Sequence, residues 1–163
     1  MILIGLGGNL TSEDGGTPRE TQERALKEIA AAGVSVLARS NWYASAPVPP
    51  SGQPDYVNAA AELETELTSG QLLELLHGIE DRLGRVRTEP NAARVIDLDL
   101  LDVHGQVRSD WPILPHPRMA ARAFVLQPLL DIVPEWRHPV SGESASVLLQ
   151  RAPDRAGIRL LTA

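Results

Sequence analysis

"RVIDLDLLD", residues 94–102, reads as a strand: Val95 and Ile96 are β-branched, and Leu98, Leu100 and Leu101 continue the apolar run. Side chains alternate along a strand, so Ile96, Leu98 and Leu100 share one face while Asp97 and Asp99 share the other. A strand this apolar belongs inside a sheet, yet one face carries two carboxylates with β-carbons on the order of 7 Å apart. Burying an unpaired carboxylate is costly, so a cation is expected opposite the pair.

The flanking segments set this strand in an α+β domain with a mainly antiparallel sheet. Upstream, Leu72, Leu75, Leu76, Ile79 and Leu83 form the apolar stripe of a helix, opened by a Thr68/Gln71 capping box and ended by Gly84. Residues 56–67 alternate before it: Val57, Ala59, Ala61, Leu63 and Leu67 face one side, and Tyr56, Asn58, Glu62, Glu64 and Glu66 the other. Further back lie the proline-rich loop "APVPPSGQPD" (46–55), a strand over 34–45 and a helix over 18–32. That helix has Thr17 as N-cap, Glu20 three residues on, and Gly33 at its end. The chain starts with a strand over 1–6, ended by Gly7-Gly8-Asn9. Downstream, "VHGQV" (103–107) reads as a hairpin, and "LPHPRMAARAFVLQPLLDIVPEW" (114–136) as a proline-rich turn leading into a helix. A short helix over 144–150 and a strand over 157–161 follow. Strands and helices intermix without a steady βαβ rhythm, which argues for α+β.

At 163 residues this is one domain, 1–163, with a single sizeable core expected. No apolar run reaches the length of a membrane span, and "MILIGLGGNL" has no basic n-region of a signal peptide. The absence of cysteine excludes disulfides and thiolate metal sites and fits a reducing cytoplasm. A net charge of −6 argues against nucleic-acid binding.

The paired aspartates can converge on one Mg²⁺ or bridge two, because hard cations prefer carboxylate oxygen. A wet outer face of an edge strand is the alternative for a bare D-x-D. Arg85, Arg87 and Arg94 lie on the irregular stretch "RVRTEPNAAR" (85–94) that leads into the aspartates. Metal-bound carboxylates beside several guanidinium groups are what a polyphosphate substrate requires. A mesh of surface salt bridges is the alternative, since 14 of the 15 basic residues are Arg and only Lys27 is not. No Gly-Lys-Ser/Thr occurs, so there is no P-loop, and Gly5-Leu6-Gly7-Gly8-Asn9 reads as a tight turn. Tyr56 beside Asn58 suits a planar heterocycle with donor and acceptor edges, or is an ordinary strand end. Phe124, the only phenylalanine, is core filling by default; His116, between Pro115 and Pro117, is a turn residue or a phosphate ligand.

Taken together, "IGLGGNL" (4–10), "QPDYVNAAAELET" (53–65), "IEDRLGRVR" (79–87), "RVIDLDLLD" and "LPHPRMAARAFVLQPL" resemble the 6-hydroxymethyl-7,8-dihydropterin pyrophosphokinase family of folate biosynthesis. The resemblance implies transfer of a pyrophosphoryl group from ATP to the pterin's hydroxymethyl oxygen, giving AMP and the pterin diphosphate. It implies a ferredoxin-like core, as a three-layer sandwich with helices on both faces of the sheet. By the same resemblance Asp97 and Asp99 bind two Mg²⁺ ions bridging the triphosphate, with Arg85 and Arg94 as further catalytic groups. Tyr56 and Phe124 would sandwich the pterin, Asn58 would read its edge, and Ser45, Ala46, Pro47 and Val48 would complete the pocket. Arg85, Arg94 and His116 match phosphate contacts, Glu80 and Arg122 match surrounding residues of the ATP site, and Ile96 and Leu98 lie at that site.

Three places depart from the family. Pro90-Asn91-Ala92-Ala93 stands where Arg-Trp-Gly-Pro is common, so the catalytic loop lacks one arginine and its tryptophan. His77 replaces a glutamine, and Pro117 replaces an aromatic. These changes bear on ATP contact and loop closure. The partners implied are two small molecules, ATP and the pterin, for a cytoplasmic monomer. A non-catalytic ferredoxin-like ligand-binding module is the rival reading; a D-x-D nucleotide-sugar transferase is disfavoured because no nucleotide-binding βαβ unit is present.

Overall fold

Both expected capping boxes form. The Thr17 hydroxyl accepts the N–H of Glu20 and the Glu20 carboxylate accepts the N–H of Thr17, opening α1 (Pro18–Ala31). Thr68 and Gln71 do the same for α2 (Ser69–Arg82). In this computed structural model every residue is described except Val48, Thr88, Asn91 and Ala163. The remaining elements are β1 (Ile2–Gly8), β2 (Ser35–Arg39), β3 (Tyr43–Ser45), β4 (Tyr56–Glu64), β5 (Asp97–Val103), α3 (Ala123–Ile132), α4 (Ala145–Arg151) and β6 (Arg159–Leu160). Two 3₁₀ turns, Met119–Ala121 and Arg155–Gly157, join them.

The sheet is antiparallel throughout, in the order β5-β1-β4-β3-β6, with β2 also on β4. Two β-α-β halves interleave so that β1 and β4 are the central strands, the ferredoxin-like α+β arrangement. The apolar stripes of α1 and α2 bury Ala25, Ile29, Leu72, Leu76 and Ile79 against Ile4, Leu6, Ile96, Leu98 and Leu100. The other face packs Leu3, Ala60 and Leu101 against Leu126 and Leu129 of α3 and Leu148 and Leu149 of α4. Helices on both faces make three layers. Among the described residues no helix is long and apolar enough to cross a membrane.

The strand expected over 34–45 is two strands. Residues 40–42 stand opposite only Ala59 and Ala60 of β4, so the ladder cannot continue in register. Ser40 bridges the break: its N–H donates to the Ala60 carbonyl, and its hydroxyl accepts the N–H of Ala60. A second irregularity falls in β5. Ile4 pairs with Leu100 and Leu3 with Asp102, so Leu101 is an extra residue and the consecutive leucines bury in opposite layers. The expected hairpin at 103–107 is a turn through His104 (φ 54°) and Gly105 (φ 70°), followed by one isolated bridge, Arg108 with Leu114. The final strand shortens to two residues paired with β3.

Candidate functional site

The register of β1 builds the site. Gly7 pairs with Asp97 on one side and Asn58 on the other; Gly5 pairs with Asp99 and Ala60. Neither glycine carries a side chain, so the sheet face between the aspartates of β5 and the polar residues of β4 is bare backbone. Asp97 and Asn58 are two strand spacings apart across it, on the order of 10 Å. A pocket opens over this floor, lined by Ser45, Ala46, Pro47, Tyr56, Asn58, Arg94, Asp97, Asp99, Arg122 and Phe124. Pro153 and Asp154 close its far wall. The pocket lies on the α3 side of the sheet.

Asp97 and Asp99 share that face, as alternation requires, but their surroundings differ. Asp97 is paired: Arg85 Nη1 donates to its Oδ1 at 2.7 Å and Arg94 Nη1 to its Oδ2 at 3.0 Å. The cations expected opposite the pair are, for this residue, guanidinium groups. Asp99 has no hydrogen bond or ion pair among the described residues. Burial pushes its carboxyl up to about 7, with the charges of Asp97 and Glu80 adding to the effect. A partly buried carboxylate with no hydrogen bond, beside a second one and with Arg122 and Arg85 only at longer range, fits a divalent cation that keeps some of its waters. Among the described residues no cluster of three acidic or histidine side chains forms a closed metal cage. Two carboxylates alone leave most of a hard cation's coordination shell to oxygen ligands from outside the protein.

Glu80 is 1 % exposed and organises the arginines. Its Oε2 accepts from Leu98 N–H (2.7 Å) and Arg85 Nη1 (2.6 Å), and its Oε1 from Arg87 Nη2 (2.7 Å). Burial raises its pKa; the Leu98 N–H and Arg85 oppose the rise. Arg87 also pairs with Asp81. The three arginines before the aspartates therefore form a partly buried ion-pair mesh that ends on Asp97, with Asp99 outside it.

On the other side of the floor, Asn58 Nδ2 donates to Ser45 Oγ at 2.8 Å, both side chains buried. Tyr56 and Phe124 line the same pocket, and the Arg122 guanidinium lies 5.2 Å from the centroid of the Phe124 ring. Phe124 is half-buried at the mouth and touches the second core only at its edge. His116 and Glu80 stay outside the pocket lining, as does Arg85, which reaches the site through Asp97. Burial, with Arg122 and Arg118 nearby, drives the His116 pKa down to about 4. Ile96 and Leu98 are core residues on the opposite face. His77, on α2, has its pKa lowered by burial and by Arg87 and Arg85. Val48 lies outside the described residues, as do Thr88 and Asn91 of the altered loop.

Sequence reasoning missed the glycine floor. Gly5 and Gly7 read as a turn because glycine is rare inside strands; glycine at alternate positions of β1 was the available signal. Pro153 and Asp154 carried no signal at all.

The 7,8-dihydro-6-hydroxymethylpterin-pyrophosphokinase (HPPK) family model matches residues 3–134. A Synechocystis protein named 2-amino-4-hydroxy-6-hydroxymethyldihydropteridine pyrophosphokinase is 38% identical over 152 residues, covering 91% of this chain and 74% of its own. Proteins of the same name from Pseudomonas aeruginosa (39% identical; 93% and 91% covered) and Haemophilus influenzae (37%; 96% of each) agree. In fold, the chain resembles a Plasmodium falciparum HPPK-DHPS crystal structure: TM-score 0.68, 12% identity, 99% of this chain and 46% of that one. The matched residues span β1 to α3, every strand of the pocket floor included, and the relatives match along nearly the whole chain, so this chain belongs to the 7,8-dihydro-6-hydroxymethylpterin-pyrophosphokinase family.

Proposed function

We propose that the chain transfers a pyrophosphoryl group from ATP to the hydroxymethyl oxygen of 6-hydroxymethyl-7,8-dihydropterin, giving AMP and the pterin diphosphate. Beyond family membership, one observation carries the reading: Asp97 and Asn58 face the same pocket across a strand with no side chains between them. A flat heterocycle held by Asn58, Tyr56 and Phe124 can therefore lie over the glycine floor with its substituent directed at the aspartates. Ser45 orients the Asn58 amide, leaving the Oδ1 edge free for a ring N–H. Asp97 and Asp99 would hold two Mg²⁺ ions, which when bound neutralise charge on the triphosphate. Arg85 and Arg94, freed from Asp97 as that carboxylate turns to metal, would hold phosphate oxygens in the bidentate manner of guanidinium. The hydroxymethyl oxygen would then bond the β-phosphorus as the bond from that phosphorus to the AMP oxygen breaks and the hydroxyl proton leaves to solvent, and the protein's part is positioning and charge stabilisation. We read residues 1–163 as one catalytic domain acting as a cytoplasmic monomer on these two small molecules.

Incubation with ATP, Mg²⁺ and the reduced pterin tests the reading. AMP is the expected product. ADP would mean an ordinary kinase, and pterin binding without turnover a ligand-binding module.

A further inference from the structure

The glycine-asparagine pair that ends β1 makes contacts that its reading as a turn does not explain. Gly8 lies against the segment before β5: a β-carbon there would sit 2.6 Å from the Val95 carbonyl oxygen, a contact only glycine permits. Asn9, 3 % exposed, then holds both backbone groups of Arg94. Its Oδ1 accepts the Arg94 N–H at 2.9 Å, while the N–H groups of Asn9 and Leu10 both donate to the Arg94 carbonyl, at 2.9 and 3.1 Å. The same amide reaches the opposite wall of the pocket. Its Nδ2 donates to Gln53 Oε1 and to the Pro54 carbonyl, both at 3.1 Å, just before Tyr56 and Asn58 enter β4. One buried side chain thus spans the two loops that flank the glycine floor.

We propose that Asn9 is the positioning residue of this site: it seats Arg94 beside Asp97 and ties that seat to the loop bearing the pterin-side residues. The inference rests on the reaction proposed above, since Arg94 is its phosphate-side group. Gly8 supplies the notch and Asn9 the clamp. Arg94 starts the short run into β5, so a shift of its backbone moves the guanidinium that meets Asp97 at 3.0 Å.

A double-mutant cycle on single-turnover rate tests this, with Asn9→Ala, Arg94→Ala and the double variant beside the wild-type protein. If Asn9 acts through Arg94, Asn9→Ala slows transfer by roughly tenfold or more in the wild-type background. In the Arg94→Ala background it slows transfer by less than about twofold, because the two effects are not independent. Asn9→Asp keeps an acceptor for the Arg94 N–H and loses both Nδ2 donations. It is expected to recover most of the rate lost in Asn9→Ala while raising the pterin KM more than the ATP KM. Equal slowing by Asn9→Ala in both backgrounds overturns the proposal, as does an Asn9→Asp rate as low as that of Asn9→Ala. If Asn9→Ala does not fold, Asn9→Ser, whose short side chain cannot reach the Arg94 N–H as the amide does, takes its place in the same cycle and the same criteria decide. Failure of the underlying reaction shows differently: the wild-type protein itself then forms no AMP.

Discussion

Asp97 and Asp99 are two residues apart on one strand face, and their environments assign them different behaviour. Two guanidiniums neutralise Asp97, whereas Asp99 is held near neutrality by burial and by its acidic neighbours. A carboxyl whose folded pKa is raised keeps its proton in the native state, so its ionisation weakens folding as pH climbs from about 4 towards 7. Asp99→Asn is therefore expected to melt higher than the wild-type protein at pH 8 without metal, with the gap closing towards pH 5. It should also slow transfer by roughly a hundredfold or more. Thermal melts in chelator and single-turnover assays check the two halves; a variant that melts lower at pH 8 would show Asp99 to be structural. Arg94→Ala removes a cation that bonds Asp97 and that, in the proposed reaction, would hold phosphate. We expect its single-turnover rate to fall by about two orders of magnitude with ATP affinity changed less than about threefold. Quench-flow rates beside equilibrium ATP titrations separate these, and the reverse pattern would make Arg94 a ground-state anchor.

The elements divide the labour. β1 supplies a floor without side chains, β5 the acidic wall, and β4 with β3 the hydrogen-bonding wall; the start of α3 brings Arg122 and Phe124 over the top. Asp154 Oδ1 accepts the Ala123 N–H at 2.8 Å and fixes that start. Because Tyr56 belongs to β4 and Phe124 to α3, truncating either removes one wall of the slot proposed for the heterocycle and leaves the acidic wall intact. Tyr56→Ala and Phe124→Ala should each weaken pterin binding at least about fivefold, a stacking face being worth about 1 kcal/mol beyond its buried area. ATP-analogue binding should hardly change. Calorimetry with each ligand is decisive: equal losses for both would mean that the slot is part of the core. The helices and their caps were legible beforehand, since capping boxes and apolar stripes are set by residues three and four apart. The break of the 34–45 strand was not, because it depends on how many residues of β4 lie opposite.

Two cores hold the sheet between helix layers, and the site occupies the part of one face that α3 and α4 leave uncovered. Groups around that opening give the fold opposing pH dependences. His116 is half-buried near Arg122 and Arg118, with only Asp97 favouring its charge, and desolvation with the two arginines pulls its pKa down to about 4 from 6.5. The unfolded chain takes up that proton first, so this histidine lowers stability as pH drops from about 6.5 to 4, where Asp99 raises it. Removing the opposing group exposes the effect: in an Asp99→Asn background, His116→Gln should flatten the fall in denaturation midpoint between pH 7 and 5. An unchanged slope would place the histidine's titration in solvent. The sequence alone determined the capped helices α1 and α2 and the places of the main strands, and that Asp97 and Asp99 face away from Ile96, Leu98 and Leu100, because periodicity and capping act over a few residues. Resemblance to a family named half of the residues that line the pocket. Only the tertiary structure decided that Asp97 is paired and Asp99 is not, that glycines pave the floor, and that Asn9 grips a residue 85 positions away. Those outcomes depend on strand register and on close approach between distant segments, which no local pattern of side chains encodes.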